Sequence, residues 1–453
     1  MDEIDYTCTF DYLGEQLKKG RMRLTDHKRS HTHSLQVAVH DRQLPFINDQ
    51  ATTPLLADLI DIAVAVHMAD RLSKNDGDMP RRILLRIPIR APEIRDRLSI
   101  HKKLQEILYW FTEDHWTFEF TPHSKLGRSA EINNPLPLFQ DTLTPTRVVL
   151  WSGGLDSFAG IYQLLLKEDT THYMLFGTGS NNIISSAQRR TAAPIERLFP
   201  QRTELVQLPF HLEDKSGGVK KSAYARSRGF VFMLLGAVCA CQAGKNTLYI
   251  CENGIGAINL PFRKSEVGLD HSRSVHPLSL LFMGELLSSI LNRPFSFENP
   301  FVWSTKAEMC KEPLQLGAAE AMFSTISCDS GHRKRPIQCG YCSSCLLRRQ
   351  AIAFHGVTDQ TRYQILAGTT RKRREEDGTH YHAMLKQVDT MRVLLSADDS
   401  WQNMSKHYGN LVDIVEKLGE RQTVTQDHIL RLYQNYIQEW DQVRDIIGEG
   451  FLE

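Results

Sequence analysis

Two periods of hydrophobicity alternate along this chain, and the changes between them divide it into three stretches. Residues 55–68 are almost continuously apolar, interrupted by Asp58 and Asp61. The run falls short of the ~20 residues needed to cross a bilayer. It reads as a buried helix with Thr53 as its N-cap and Pro54 as its first residue, where a missing N–H costs nothing. Residues 83–89 form a strand-like run, 100–112 have helical spacing, and Trp116-Thr117-Phe118-Glu119-Phe120 alternates with the period of a strand. Residues 1–140 therefore read as a small α+β domain. Its Asp70, Arg71 and His115 sit inside ordinary amphipathic patterns and are assigned no chemistry.

From residue 141 the pattern changes. Val148-Val149-Leu150-Trp151 is a short apolar strand, a Gly-rich turn follows, and 157–166 is helical in period. Further strands fit 173–176, 205–208 and 248–251, with a long helix over 223–243. Strands alternating with helices predict an α/β fold built on a parallel, doubly wound sheet over 141–360. Residues 361–453 are charged and helical, with Leu385, Val388, Leu411, Ile414 and Leu418 marking apolar faces. Arg371-Lys372-Arg373-Arg374 is followed at once by Glu375-Glu376-Asp377, so this basic run reads as a solvated linker or loop.

The total of 453 residues suits two or three domains. A formal net charge of +1 gives no reason to favour a nucleic-acid or membrane partner over a small molecule. The first residues, MDEIDYTCTF, lack a basic stretch followed by an apolar one, so a reducing, cytoplasmic setting is expected.

The sharpest chemical signal is Ser152-Gly153-Gly154-Leu155-Asp156-Ser157, between a strand and a helix. Gly153 and Gly154 remove side chains where the backbone must bend and approach a phosphate, and N–H groups at the helix start then face the anion. Ser152 and Ser157 add hydroxyl donors. An acid beside a polyphosphate calls for an intervening cation, and Mg²⁺ at Asp156 fits that need. The loop has neither the GK[ST] ending of a Walker loop nor the GxGxxG spacing of a dinucleotide fold. Charge that develops on a leaving pyrophosphate needs cations, for which Lys220, Arg226, Arg228 and Lys306 are candidates.

Of nine cysteines, Cys8, Cys239, Cys241, Cys251 and Cys310 are scattered, whereas Cys328, Cys339, Cys342 and Cys345 are crowded. Two consecutive CxxC steps with a fourth thiolate from the preceding loop fit a closed, structural Cys₄ zinc site. An iron–sulfur cluster is the alternative for such spacing.

The SGGxDS pattern resembles the PP-loop of ATP pyrophosphatases, the adenine nucleotide alpha hydrolase-like fold. In that family the loop holds the β and γ phosphates as a leaving group. Taken in order, SGGLDS at 152–157, the Arg-bearing segment 224–230, Ser304-Thr305-Lys306-Ala307-Glu308, and Ser327-Cys328 through Cys339-Gly340-Tyr341-Cys342-Ser343-Ser344-Cys345-Leu346-Leu347-Arg348 are similar to 7-cyano-7-deazaguanine synthases, the QueC family. The similarity spans roughly residues 147–355. It implies adenylation of 7-carboxy-7-deazaguanine with ATP and release of pyrophosphate, then an amide, a nitrile or a conjugate with an amine. Asp156, Ser157, Lys306 and Arg226 form the expected catalytic set. Ser152, Gly153, Gly154, Leu155, Asp156, Ser157 and Arg228 form the expected nucleotide site, and Cys328, Cys339, Cys342 and Cys345 the expected zinc ligands.

Two segments depart from the family. Where QueC proteins usually read FDYGQ, this chain reads Phe176-Gly177-Thr178-Gly179-Ser180. The region 251–277 also differs, with Glu252, Asn253, Asn259 and His276 as candidate substrate contacts or turn residues. The added residues at both ends look like the QueC-like proteins of anti-phage defence systems, such as QatC and its relatives in type IV cyclic-oligonucleotide systems, and imply a partner protein as amine donor. Two other readings remain: a PP-loop tRNA-modifying enzyme, which would need a reactive cysteine pair, and a non-catalytic nucleotide-binding scaffold subunit.

Overall fold

The computed structural model describes residues 3–13, 19–45, 52–74, 79–124, 127–132, 146–214, 218–219, 221–222, 225–262, 273–329, 338–364, 378–420 and 424–452, the side chains of 449–452 apart. Lys220, Tyr224 and the run 371–377 lie outside the described residues.

The first stretch opens with three strands, β1 (Tyr6–Leu13), β2 (Lys19–Asp26) and β3 (His31–Val39), which periodicity did not anticipate. Then follow α1 (Thr53–Leu72), β4 (Arg82–Ile89), α2 (Pro92–Arg95), α3 (Leu98–Thr112), β5 (His115–Pro122) and α4 (Ser129–Ile132). α1 is the expected apolar helix, but its N-cap is Thr52 and not Thr53, because Leu56 N already bonds Thr52 O at 3.0 Å.

The central stretch contains β6 (Thr146–Leu150), α5 (Leu155–Lys167), β7 (His172–Gly179), α6 (Asn182–Leu198), β8 (Thr203–Glu213), α7 (Arg228–Gln242), β9 (Thr247–Tyr249), α8 (Gly254–Ile258), α9 (Pro277–Leu291) and β10 (Ser296–Glu298). It continues with α10 (Lys306–Gln315), α11 (Ala319–Phe323) and α12 (Ser343–Phe354). Among its described residues the last stretch holds four helices, α13 (Thr379–Ser396), α14 (Ser400–His407), α15 (Asn410–Gly419) and α16 (Gln426–Leu452), preceded by Tyr363, which bridges to Gln338. No described helix is long and apolar enough to cross a membrane.

All ten strands join one sheet, in the order β10-β9-β6-β7-β8-β3-β2-β1-β4-β5. The β6–β10 half is parallel throughout. The seam is antiparallel: Val37 pairs with Leu212 and Val39 with Phe210, so the sheet runs uninterrupted across the expected boundary near 140. Backbone pairing there leaves neither half with an open edge at the seam.

Strand alternation sends successive side chains to opposite faces. Val148, Met174 and Phe176 join the core under α1, α7 and α9, whereas Val149, Tyr173 and Leu175 join the core under α5, α10 and α12. Each face thus buries its own set of helices, as a doubly wound sheet requires. The C-terminal helices form a third core with Ile255, Ile258, Leu260, Leu346 and Leu347. They consequently pack directly against the segment that follows β9.

Candidate functional site

The Gly-rich turn sits at the carboxyl end of β6, where α/β sheets bind ligands. Gly153 has φ of +75°, a conformation that side chains disfavour, and a Cβ there would meet Thr191 Oγ1 at 2.9 Å. Gly154 is the N-cap of α5 and supplies no side-chain cap. The N–H groups of the helix's first turn are left without a capping side chain, aimed beyond the loop, and an uncapped helix start with its positive dipole end is an anion site.

The loop is braced from three sides. Ser152 Oγ accepts from Gly154 N at 3.1 Å and lies 3.1 Å from Ser157 Oγ, which donates to Gly154 O at 3.0 Å. Trp151 N bonds Phe176 O at 2.8 Å, and Ile326 N bonds Gly153 O at 3.2 Å.

Asp156, in the first turn of α5, meets Lys306 in an ion pair and accepts from Asn253 Nδ2 at 2.9 Å. Lys306 is the first residue of α10, the dipole end least suited to a cation. Burial would lower its pKa, but the Asp156 and Glu252 carboxylates outweigh burial and hold it above the ordinary lysine value. Asn253 Nδ2 also reaches Glu252 Oε1 at 2.9 Å, so two carboxylates converge on one amide. Burial pushes the Glu252 carboxyl up to about 8, Asp156 adding to the rise and Lys306 opposing it. A pair of oxygen ligands crowded beside a phosphate loop fits a hard divalent cation, and Mg²⁺ would be held by Asp156 and Glu252.

Arg228, first residue of α7, leaves an exposed guanidinium inside the concavity and makes no ion pair among the described residues. The crowded walls lower its pKa from the usual arginine value, with Asp329 opposing. Its guanidinium lies over the Phe232 ring, 4.9 Å from the centroid, and with no carboxylate paired to it among the described residues can meet an anionic ligand. Arg226 is used differently: its guanidinium donates to Thr112 O at 2.8 Å, holding α7's approach to α3, and it lines neither cavity.

Two adjoining cavities open at the loop. The smaller, of about 290 Å³, is lined by Gly154, Leu155, Asp156, Lys306 and Arg228. The larger, of about 670 Å³, is lined by Ser152, Ser157, Phe176, Thr178, Gln188 and residues beyond β9. Arg228, Glu252 and Asp329 line both.

At the departure from FDYGQ, Gly177 makes room for Gln188, whose Oε1 would lie 2.5 Å from a Cβ at 177. Gln188 donates to Thr178 O at 3.2 Å and accepts from Gln207 at 2.9 Å. Helix α6 thereby brings an amide to the cavity wall. Sequence reasoning missed Gln188, and also Asp329, whose place next to Cys328 was the available signal.

Among the candidate contacts, Glu252, Asn253 and Asn259 line the cavities. His276 caps α9 instead, its Nδ1 accepting from Leu278 N at 3.2 Å, and burial beside Arg273 lowers its pKa to about 3. Cys239 and Cys241 lie in the core of α7, and burial raises both thiols, Cys241 to about 11. Neither is a ready thiolate, which removes the reactive pair that sulfur transfer needs.

Cys328, Cys339, Cys342 and Cys345 are all buried, with their four sulfurs within 4.8 Å of one another. Cys339 and Cys345 Sγ are 3.8 Å apart, close to the edge of a tetrahedron built on a Zn–S distance of ~2.3 Å. Backbone N–H groups of Cys339 and Cys342 point at Cys328 and Cys339 Sγ at 3.4 and 3.3 Å, as they do around thiolates. Four sulfurs fill the coordination sphere, so zinc here would be structural. The knuckle starts α12, whose buried Arg348 donates to Thr325 Oγ1 at 2.8 Å and Met322 O at 3.0 Å, fixing the segment that carries Ile326. The metal site is thus linked to Gly153 through one arginine.

A 7-cyano-7-deazaguanine synthase of Nitrosococcus oceani is 25% identical over 235 residues, 48% of this chain and 98% of the relative. Those of Cupriavidus pinatubonensis and Cupriavidus taiwanensis are each 26% identical, over 49% and 50% of this chain and 99% and 100% of theirs. Residues 197–356 match the family described as queuosine biosynthesis protein QueC, so this chain contains a QueC-like region inside a protein about twice the length of those relatives.

Proposed function

We propose that this chain is an AMP-forming, ATP-dependent ligase that activates the carboxylate of a 7-deazaguanine such as 7-carboxy-7-deazaguanine. The observation that carries the reading is the uncapped start of α5 behind Gly153, in a cavity that Lys306 and Arg228 also line. Its likeness to synthases named for a deazaguanine product supports the substrate class.

In this mechanism the β and γ phosphates occupy the smaller cavity against the N–H groups of Leu155, Asp156 and Ser157. A carboxylate oxygen of the substrate attacks the α-phosphorus, the bond from that phosphorus to the bridging oxygen breaks, and pyrophosphate leaves with the electron pair. Lys306 and Arg228 neutralise the charge it gains. Asp156 and Glu252 would hold a Mg²⁺ ion, which would supply further neutralisation of the phosphates. An amine then attacks the acyl carbon, the acyl C–O bond breaks, AMP departs with that pair, and the nitrogen releases its proton to solvent. The amine is ammonia, giving an amide on the way to a nitrile, or an amine of a partner protein in an anti-phage system. The protein supplies position and charge and needs no covalent nucleophile.

Incubation with α-labelled ATP, Mg²⁺ and 7-carboxy-7-deazaguanine tests the reading. Labelled AMP should form only when the carboxylate is present, and absence of AMP under those conditions refutes it.

A further inference from the structure

Lys306 occupies an awkward position for a cation of the site. It is 5% exposed, and it opens α10, a ten-residue helix whose positive dipole end repels an ammonium. The first turn of a short helix frays unless its N–H groups are held. Where Lys306 points is therefore set by whatever holds the segment 303–308.

Much of that hold comes from α16, which lies beyond residue 356, where the family match ends. Arg431, Asn435 and Glu439 stand four residues apart and so share one face of α16. Each of them bonds the Lys306 segment. Arg431 donates to Trp303 O at 2.5 Å and to Glu308 Oε1 at 3.3 Å. Asn435 Nδ2 donates to the same Glu308 oxygen at 2.9 Å. Glu439 accepts from the Thr305 hydroxyl with one oxygen, and with the other from Gln350 Nε2 of α12 at 2.8 Å.

These contacts fall on the capping residues themselves. Thr305 is the N-cap of α10: its Oγ1 accepts from Glu308 N at 3.1 Å, and Glu308 Oε2 accepts from Thr305 N at 2.7 Å. Helix α16 thus grips both partners of the capping box from outside, one at its hydroxyl and one at its carboxylate. Glu439 is 3% exposed, and burying a carboxyl costs free energy. A capping box closes without such help, so the buried carboxyl contributes little to the existence of α10 and much to where α10 lies. Asp156 stands on α5, and its ion pair with Lys306 spans two helices whose spacing α16 helps to set. Gly254 N also bonds Ser304 O at 2.8 Å, which ties the turn carrying Glu252 and Asn253 to the same segment.

We propose that Glu439 is a positioning residue, which with Asn435 and Arg431 holds the first turn of α10 so that Lys306 meets the charge developing on departing pyrophosphate. This rests on the adenylation reading, in which Lys306 meets the phosphates and Glu439 acts only through it. It gives α16 a part in the rate of the reaction as well as in the stability of the fold.

A double-mutant cycle in the full-length protein tests the assignment, with AMP formation from ATP, Mg²⁺ and 7-carboxy-7-deazaguanine read by quenched flow. Glu439→Ala should lower kcat about tenfold, the scale of a slight misplacement of a catalytic group, and leave KM for ATP within about twofold. In a Lys306→Met background the same change should cost nothing further, because the group being positioned is gone. Glu439→Gln keeps an acceptor for the Thr305 hydroxyl and should restore kcat to within about threefold of wild type. Where Glu439→Ala fails to fold, Asn435→Ala, at a half-buried position, repeats the cycle: its loss of roughly threefold should likewise vanish without Lys306. An equal loss in both backgrounds is what a merely structural residue gives, and it overturns the assignment. So does an unchanged kcat in whichever variant folds; in both cases wild type still forms AMP and the adenylation reading stands. If wild type forms no AMP, that reading fails and the positioning role falls with it.

Discussion

Ser227, the residue before α7, gives both its backbone N–H and its hydroxyl to Asp70, at 2.8 and 2.7 Å, across 157 positions of sequence. Asp70 lies on α1, and its other oxygen pairs with Arg81, which also pairs with Asp114 at 2.5 Å. A buried acid of the first stretch therefore sets where the Arg228 helix begins. The added N-terminal residues are part of the site's foundation.

Asp70→Ala should cost about 3 kcal/mol, as when one partner of a buried ion pair is removed. It should also weaken ATP binding, since Arg228 would lose its fixed starting point. Urea unfolding and nucleotide titration on the same preparation check both effects. A stable variant with normal ATP affinity would break the proposed link.

Lys306→Met should lower the rate of AMP formation by ~100-fold or more, the scale for removing a group aimed at developing charge. Asp156→Ala should do the same by releasing Lys306 and removing a cation ligand. Quenched-flow measurement of AMP distinguishes an enzyme from a nucleotide-holding scaffold, in which neither change would affect function in cells.

One zinc per chain is expected by elemental analysis. Cys342→Ser should lose the metal and also weaken ATP binding, because Arg348 would no longer brace the segment that holds Gly153. Metal loss with unaltered nucleotide affinity would show that the knuckle and the loop are independent.

Glu439 of α16 accepts hydrogen bonds from Thr305, the residue before Lys306, and from Gln350 Nε2 at 2.8 Å. Burial raises its carboxyl to about 7, with Thr305 and Gln350 opposing. The folded chain thus keeps a proton that the unfolded chain gives up near the ordinary glutamate value. The stability this provides is complete below that value and is lost as pH climbs through about 7. The contribution is on the order of 3 kcal/mol at most. Glu439→Gln should flatten this part of the pH dependence between pH ~5 and ~8, read by urea unfolding at each pH.

The elements read most easily from sequence were those with one strong local signal. The apolar run of α1, the β6-turn-α5 unit and the CxxCxxC knuckle each announce themselves within a dozen residues. β1, β2 and β3 did not: Arg21, Arg23 and Thr25 alternate with buried Met22 and Leu24, but the charged outward positions dilute that pattern. α7 begins at Arg228 and not near 223, and Asp70, far away in sequence, holds Ser227 just before that start. Lys306, Arg228 and the four cysteines were legible from motif chemistry. Gln188, Asp329 and Glu439 were not, since they reach or brace the site only through packing of α6, the knuckle and α16. The antiparallel seam between β3 and β8 is a long-range pairing that no local pattern encodes.

The central claim is most directly tested by a crystal structure with an ATP analogue whose α–β bridge cannot be cleaved. The account predicts β and γ phosphate oxygens against the N–H groups of Leu155, Asp156 and Ser157, with Lys306 and Arg228 within hydrogen-bond reach. Phosphates bound elsewhere, or a loop at 152–157 turned away from the nucleotide, would contradict it.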